Sequence, residues 1–178
     1  MSARRLFFAL WPSATMQREL SVATRDAVAD CGGRPTSPES LHLTLAFLGS
    51  VPETAIDLLT KTARAIASCQ TDGCIAVTLD AIEYWRKPQL LCAMARDAHA
   101  AAVLANALRR LLIGAGFFPD LKPFRAHATL ARKVARAPKN LGMTPVLWTF
   151  TRFALIESRT DPRGSVYSTI DSWALCGR

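Results

Sequence analysis

His42-Leu43-Thr44-Leu45, inside the run Leu41–Gly49, is echoed by His127-Ala128-Thr129-Leu130, inside Phe124–Arg132, in the other half of the chain. Each copy reads as a β-strand. Leu41–Leu48 is apolar throughout except for His42 and Thr44 and is closed by Gly49, the pattern of a buried strand. Side chains alternate faces along a strand, so His42 and Thr44 share one face while Leu43, Leu45 and Phe47 share the other. At about 3.3 Å per residue the two polar groups stand roughly 6–7 Å apart. The same parity joins His127 to Thr129 and puts Ala128 and Leu130 behind them. An imidazole beside a hydroxyl on a strand of core residues must be hydrogen-bonded or must open into a wet cleft. Two such pairs can face one another across one cleft.

A single histidine on an apolar strand is more often a satisfied core residue than a catalyst, and one HxT would stay with that explanation. The chain has three histidines, and two carry the same Thr-Leu neighbours. His99 lacks them and reads as a surface residue opening a helix. The doubling favours function.

Outside these strands the chain alternates helix and strand. Leu6–Trp11 predicts the first strand. Ser13 suits an N-cap for a helix carrying Met16, Leu20, Ala23 and Ala27 towards Cys31, stopped by Gly32-Gly33. Arg34–Ser40 is expected as a loop. Ser50 and Pro52 open a second helix with Ile56, Leu59, Ala63 and Ile66 buried. After a turn at Gln70–Gly73, Ile75–Ala81 and Leu90–Ala95 are expected to form one long hairpin about Arg86-Lys87-Pro88. A third helix, capped by Asp97, should turn Val103, Leu104, Ala107, Leu108 and Leu111 inward and end at Gly114–Gly116. Pro119–Pro123 and Ala135–Thr144 read as loops, and Trp148–Ser158 and Val166–Leu175 as closing strands. Hairpins dominate, so antiparallel sheets with helices packed outside, an α+β class, are expected.

At 178 residues the chain is expected to be one domain, large enough to bury roughly 70% of its unfolded surface. The net charge is +8, from 22 basic and 14 acidic residues, which favours a polyanionic partner. Lys122, Arg125, Arg132, Lys133, Arg136 and Lys139 gather around the second motif, and arginine's planar fork suits phosphate oxygens. The cysteines at 31, 69, 74, 92 and 176 are odd in number and form no C-x-x-C, so reduced thiols in a cytoplasmic protein are expected. Leu6–Trp11 is too short for a signal peptide's apolar run, and no stretch approaches the ~20 apolar residues of a membrane span.

The pieces Arg5–Pro12, His42–Gly49, His127–Arg132, and the tail from Leu155 and Ser158 through Gly164 and Tyr167 to Trp173-Ala174-Leu175 together resemble the two-histidine (2H) phosphoesterase superfamily. They are more closely similar to the bacterial RNA 2′,3′-cyclic phosphodiesterases, also called 2′-5′ RNA ligases. One HxT alone is a weak signature; two, with the flanking pieces in order, are strong. The resemblance implies two pseudo-symmetric lobes of antiparallel sheet with outer helices, spanning 1–178 and each lending an HxTx motif to a central cleft. It implies His42 as proton donor, His127 as proton acceptor and Arg132 as a phosphate ligand. Strict alternation aims Arg132 at the face opposite His127, so that role requires the strand to end or bulge first, or the side chain to curl round.

Two histidines without adjacent carboxylates suit paired acid–base catalysis, since a free imidazole titrates near pH 6.5. One takes a proton from water and the other gives one to the departing ribose oxygen. Thr44 and Thr129 are placed to donate to the non-bridging oxygens, and an arginine could hold their charge. Parity puts Phe47 in the core. Tyr84, Trp85, Trp148 and Tyr167 are candidates to stack on a base, though packing is the commoner role. Arg159 and Arg163 could reach an RNA backbone or simply be solvated.

No metal or other cofactor is expected: neither motif histidine has a close ligand partner. No P-loop and no G-x-S-x-G elbow occurs. The expected activity is hydrolysis of RNA 2′,3′-cyclic phosphate ends to 2′-phosphomonoesters, with RNA as partner, no membrane, and the chain as a monomer. The alternatives are a relative acting on small cyclic nucleotides or on 2′-5′ linked RNA, reverse ligation included, and a non-catalytic RNA-binding module.

Overall fold

The computed structural model describes residues 3–68, 73–120, 122–161 and 164–175. Cys69, Cys176, Arg163 and all but Gly73 of the turn expected at Gln70–Gly73 lie outside them. The elements run β1 (Ala3–Leu10), α1 (Ala14–Ala23), α2 (Arg25–Asp30), β2 (Arg34–Pro35), β3 (Leu43–Pro52), α3 (Ile56–Ala67), β4 (Ile75–Leu79), β5 (Ala81–Trp85) and β6 (Leu90–Met94). They continue with α4 (His99–Gly114), β7 (His127–Arg132), β8 (Val146–Phe150), β9 (Arg152–Asp161) and β10 (Gly164–Ala174).

The class is α+β, and every strand pairing is antiparallel. One four-stranded sheet has the order β10-β9-β1-β3, a second β2-β7-β6-β5, and β4 pairs with β8 in a small third sheet. Each four-stranded sheet therefore holds one motif strand, and β3 and β7 approach one another. The central strand β1 is apolar on both faces, and each face has its own neighbours. Leu6, Phe8 and Leu10 enter the main core with Leu43, Leu91, Leu104 and Ala128. Phe7 and Ala9 join a second cluster with Ala154 and Ile156, flanked by Trp11, Phe47 and Tyr167.

Several expectations are corrected. The first helix is two, because Thr24 interrupts it: its hydroxyl donates to the Leu20 carbonyl at 2.8 Å, and α2 restarts at Arg25. Ser13 caps α1 as expected, accepting from the Met16 N–H. The expected loop at Arg34–Ser40 contains β2, paired with Arg132 and Ala131, and a 3-10 turn at Pro38–Ser40. The long hairpin breaks at Asp80, where β4 leaves to pair with β8 while β5 stays with β6. The strand expected over Trp148–Ser158 divides at Thr151 into β8 and β9.

In α4, Ala101, Leu104, Ala105, Leu108 and Leu112 face inward. Val103 and Leu111 are exposed. The helix is apolar on more than one side, so its period does not define a single buried stripe. His99 is exposed at its first turn, and its N–H donates to Asp97.

Candidate active site

His42 lies one residue ahead of β3, and His127 opens β7. Both rings are fixed by the same local device. Nδ1 of His42 donates to the carbonyl of Ser40 at 2.7 Å, and Nδ1 of His127 donates to the carbonyl of Arg125, also at 2.7 Å. A carbonyl oxygen only accepts, so Nδ1 carries the hydrogen in each ring and Nε2 is left for proton exchange.

Both motif strands bulge at the same place. In the β1–β3 ladder Ala9 stands opposite Thr44 and Phe8 opposite Ala46, which leaves Leu45 as the extra residue. In the β6–β7 ladder Cys92 stands opposite Thr129 and Leu91 opposite Ala131, which leaves Leu130 extra. The fourth letter of each HxTL is thus an inserted residue, and an insertion reverses the alternation of all that follows.

The reversal decides Arg132. Opposed residues share a face, so Arg132, across from Leu90, lies on the side of Cys92, Thr129 and His127. The bulge is the resolution strict alternation required. The same step corrects Phe47, which was expected in the core behind His42. It is half-buried, stands across from Phe7, and packs in the cluster of Phe7, Ala9 and Tyr167 on the Thr44 side. The Arg5 guanidinium covers its ring at 5.0 Å from the centroid.

The surroundings of the two imidazoles differ. Trp11 stacks on His42 with centroids 4.9 Å apart and an interplanar angle of 4°. Phe7 lies at 5.1 Å, and Tyr167 meets the ring edge-on at 5.2 Å. Desolvation by this apolar enclosure is the largest influence on His42 and pushes its pKa down to about 4. The Ser40 carbonyl opposes the fall, and the positive fields of Arg132 and His127 add to it. His42 is therefore coupled to Arg132 and His127, both on the second motif strand.

His127 is also lowered, first by desolvation and then by Arg125 and Arg132, against the Arg125 carbonyl and Glu83, which raise it. Trp85 lies 4.7 Å from its ring. Trp85 is fixed in turn: its indole N–H donates to Glu83 at 2.9 Å, and Arg125 contacts both Glu83 oxygens at 2.8 and 2.9 Å. These bonds, the indole's first, hold the Glu83 carboxyl below its ordinary range. A carboxylate thus sits in the His127 environment, although the sequence offered none beside it.

Across the ladder from Thr129, burial pushes the Cys92 thiol up to about 12, with the Thr129 hydroxyl partly offsetting it. Cys92 is an inert thiol at neutral pH. Among the described residues no three His, Cys, Asp or Glu side chains gather as a metal ligand set.

Of the basic residues around the second motif, Arg125, Arg136 and Lys122 are paired with Glu83, Asp30 and Asp120. Arg132 and Lys133 form no salt bridge among the described residues. Of the aromatic candidates, Trp148 is fully buried and donates to the Met16 carbonyl, and Tyr84 packs on the main core. Trp85 and Tyr167 touch the histidines. Arg159 lies 3.6 Å from Glu157. Sequence reasoning missed Trp11, Phe7 and Glu83. The available signal was that Phe7 and Ala9 leave β1 apolar on a second face, which must be covered by something.

The chain resembles proteins of known kind over nearly its whole length. A family described as LigT like Phosphoesterase matches residues 10–89, which include the first motif. A curated RNA 2′,3′-cyclic phosphodiesterase of Thermus thermophilus is 32% identical, with 97% of this chain and 91% of that protein aligned. One from Escherichia coli is 29% identical over 97% of each. The crystal structure of E. coli LigT complexed with 3′-AMP superposes with a TM-score of 0.84 at 27% identity, covering 97% of this chain and 98% of that one. No described helix is long and apolar enough to cross a membrane.

Proposed function

Because the chain belongs to the LigT-like 2H phosphoesterases and is a phosphodiesterase, we propose that it hydrolyses RNA 2′,3′-cyclic phosphate ends to 2′-phosphomonoesters, with His42 and His127 as its acid–base pair. The observation that carries this reading is the matched anchoring of the two rings. Each Nδ1 is committed to a carbonyl two residues upstream, and the field of one histidine reaches the other.

Water attacks phosphorus as the bond to the ribose 3′ oxygen breaks. His127 Nε2 accepts the water proton, and His42 gives a proton to the departing oxygen. Thr44 and Thr129 donate to the non-bridging oxygens. Arg132, on the same face of β7 as His127 and Thr129, holds the developing charge. Burial keeps His42 neutral in the empty cleft, so the donor must be loaded by the substrate. An anionic phosphodiester replaces the missing counter-charge and draws a proton onto the imidazole. The relatives' names favour RNA, and so does the charge of +8.

The test is product analysis on a short RNA ending in a 2′,3′-cyclic phosphate, with chelator present. A 2′-phosphate end supports the reading. A 3′-phosphate end, or binding without turnover, contradicts it.

A further inference from the structure

Arg34 and Arg132 stand directly across the β2–β7 ladder from each other. Both are exposed, and neither has a salt-bridge partner among the described residues. Like charges directly opposed on neighbouring strands are destabilising, so this pair works against the fold unless an anion lies between or beside the two guanidinium groups.

The backbone is arranged to keep them together. Gly33 has no room for a side chain: a Cβ there would come within 2.9 Å of the Arg132 carbonyl oxygen and 3.1 Å of the Val134 Cα. Its bareness lets β2 lie against the end of β7, where the Thr36 N–H also donates to the Leu130 carbonyl at 2.8 Å. Lys133 follows in the left-handed region at φ 53° and brings a third cation to the same place.

Arg34, Arg132 and Lys133 line a cavity of about 300 Å³ between β2, the end of β7 and the β9–β10 hairpin. Among the described residues its wall carries these three cations together with the Asp161 carboxylate and hydroxyl residues such as Ser37, Thr160 and Ser165. The cavity adjoins residues that touch His42. Ser40, whose carbonyl anchors His42, and Tyr167, which packs edge-on against His42, line it too.

We propose that Arg34, with Lys133, forms a second phosphate subsite that binds the internucleotide phosphodiester next to the cyclic end, making Arg34 a determinant of preference for oligonucleotides over cyclic mononucleotides. This rests on the RNA reading above. The subsite takes a monoanionic phosphodiester, while Arg132 is shared with the reacting phosphate. A cyclic mononucleotide has nothing to place there.

The experiment compares a 2′,3′-cyclic mononucleotide with a dinucleotide carrying one internucleotide phosphate and the same cyclic end, for the wild type, Arg34→Gln and Arg34→Lys. The wild type should prefer the dinucleotide. Arg34→Gln should raise KM for the dinucleotide about tenfold or more and flatten its salt dependence by about one unit of slope. For the mononucleotide it should stay within about twofold of the wild type. Arg34→Lys should recover most of the loss, and the unfolding temperature of Arg34→Gln should equal or exceed that of the wild type. Equal losses on both substrates, a lowered unfolding temperature with loss on both, or no loss on either would overturn the subsite. A wild-type enzyme inactive on both substrates would overturn the functional reading and the subsite with it.

Discussion

Phe47 and Arg132 occupy equivalent positions in the two motif strands. Each stands five residues after its histidine, and each is brought to the histidine face by the inserted leucine of its own HxTL. One copy of the repeat thus ends on an aromatic ring and the other on a guanidinium. The pseudo-symmetry of the backbone thus carries chemically different side chains at the ends of its two motif strands.

That asymmetry predicts unequal costs. Arg132→Ala should lower kcat by roughly 10²–10³-fold, the scale of losing a donor to transition-state charge. Arg132→Lys should restore only part, because an ammonium lacks the planar fork. Phe47→Ala should act mainly on KM. Steady-state kinetics on an RNA with a cyclic end checks both, and a kcat loss at Phe47 as large as that at Arg132 would refute the distinction.

The pH behaviour follows from the two depressed imidazoles. In the free enzyme His42 sits at about 4 and His127 below its ordinary 6.5. The state with one proton on the pair is therefore most populated on the acid side of pH 6.5, and kcat/KM should peak there. A bound phosphate anion raises both values, so the kcat optimum should lie at higher pH. Glu83→Gln removes a carboxylate that raises His127 and leaves Arg125, which lowers it, unpaired. Its kcat/KM profile should move further to acid. Coincident optima for kcat and kcat/KM, or an alkaline shift in the variant, would contradict these assignments.

Stability should carry the same signature. Below about pH 6.5 the unfolded chain protonates His42 while the folded chain, at about 4, resists it. This depressed base contributes stability near neutrality that is lost as pH falls from 6.5 through 4. The loss approaches about 2–3 kcal/mol near the bottom of that window. Urea unfolding of wild type and His42→Gln at pH 7 and pH 4.5 measures it. The variant should lose less on acidification, and equal losses would show that His42 titrates normally.

The strand placement of the two histidine–threonine pairs and the α+β class are legible because strand alternation and a doubled motif are local properties of sequence. Arg132 and Phe47 mark where that legibility stops. A bulge inside an otherwise regular strand leaves no trace in hydrophobic pattern, since Leu45 and Leu130 are apolar whether paired or inserted. Arg34 was hidden for a different reason: its strand is two residues long and owes its existence to a bare Gly33 against Arg132. Trp11 and Trp85 became neighbours of the histidines through tertiary packing, which spacing along the chain does not encode. The β4–β8 pairing is likewise non-local, and Ile75–Ala81 gives no sign that Asp80 divides it.

The central claim, that both imidazoles act on one phosphate, is tested most directly by His42→Ala and His127→Ala on an RNA ending in a 2′,3′-cyclic phosphate, with circular dichroism confirming the fold. Each substitution alone should reduce turnover by at least about 10²–10⁴-fold, and the double variant should be little worse than either. Wild-type turnover in either single variant would contradict the account.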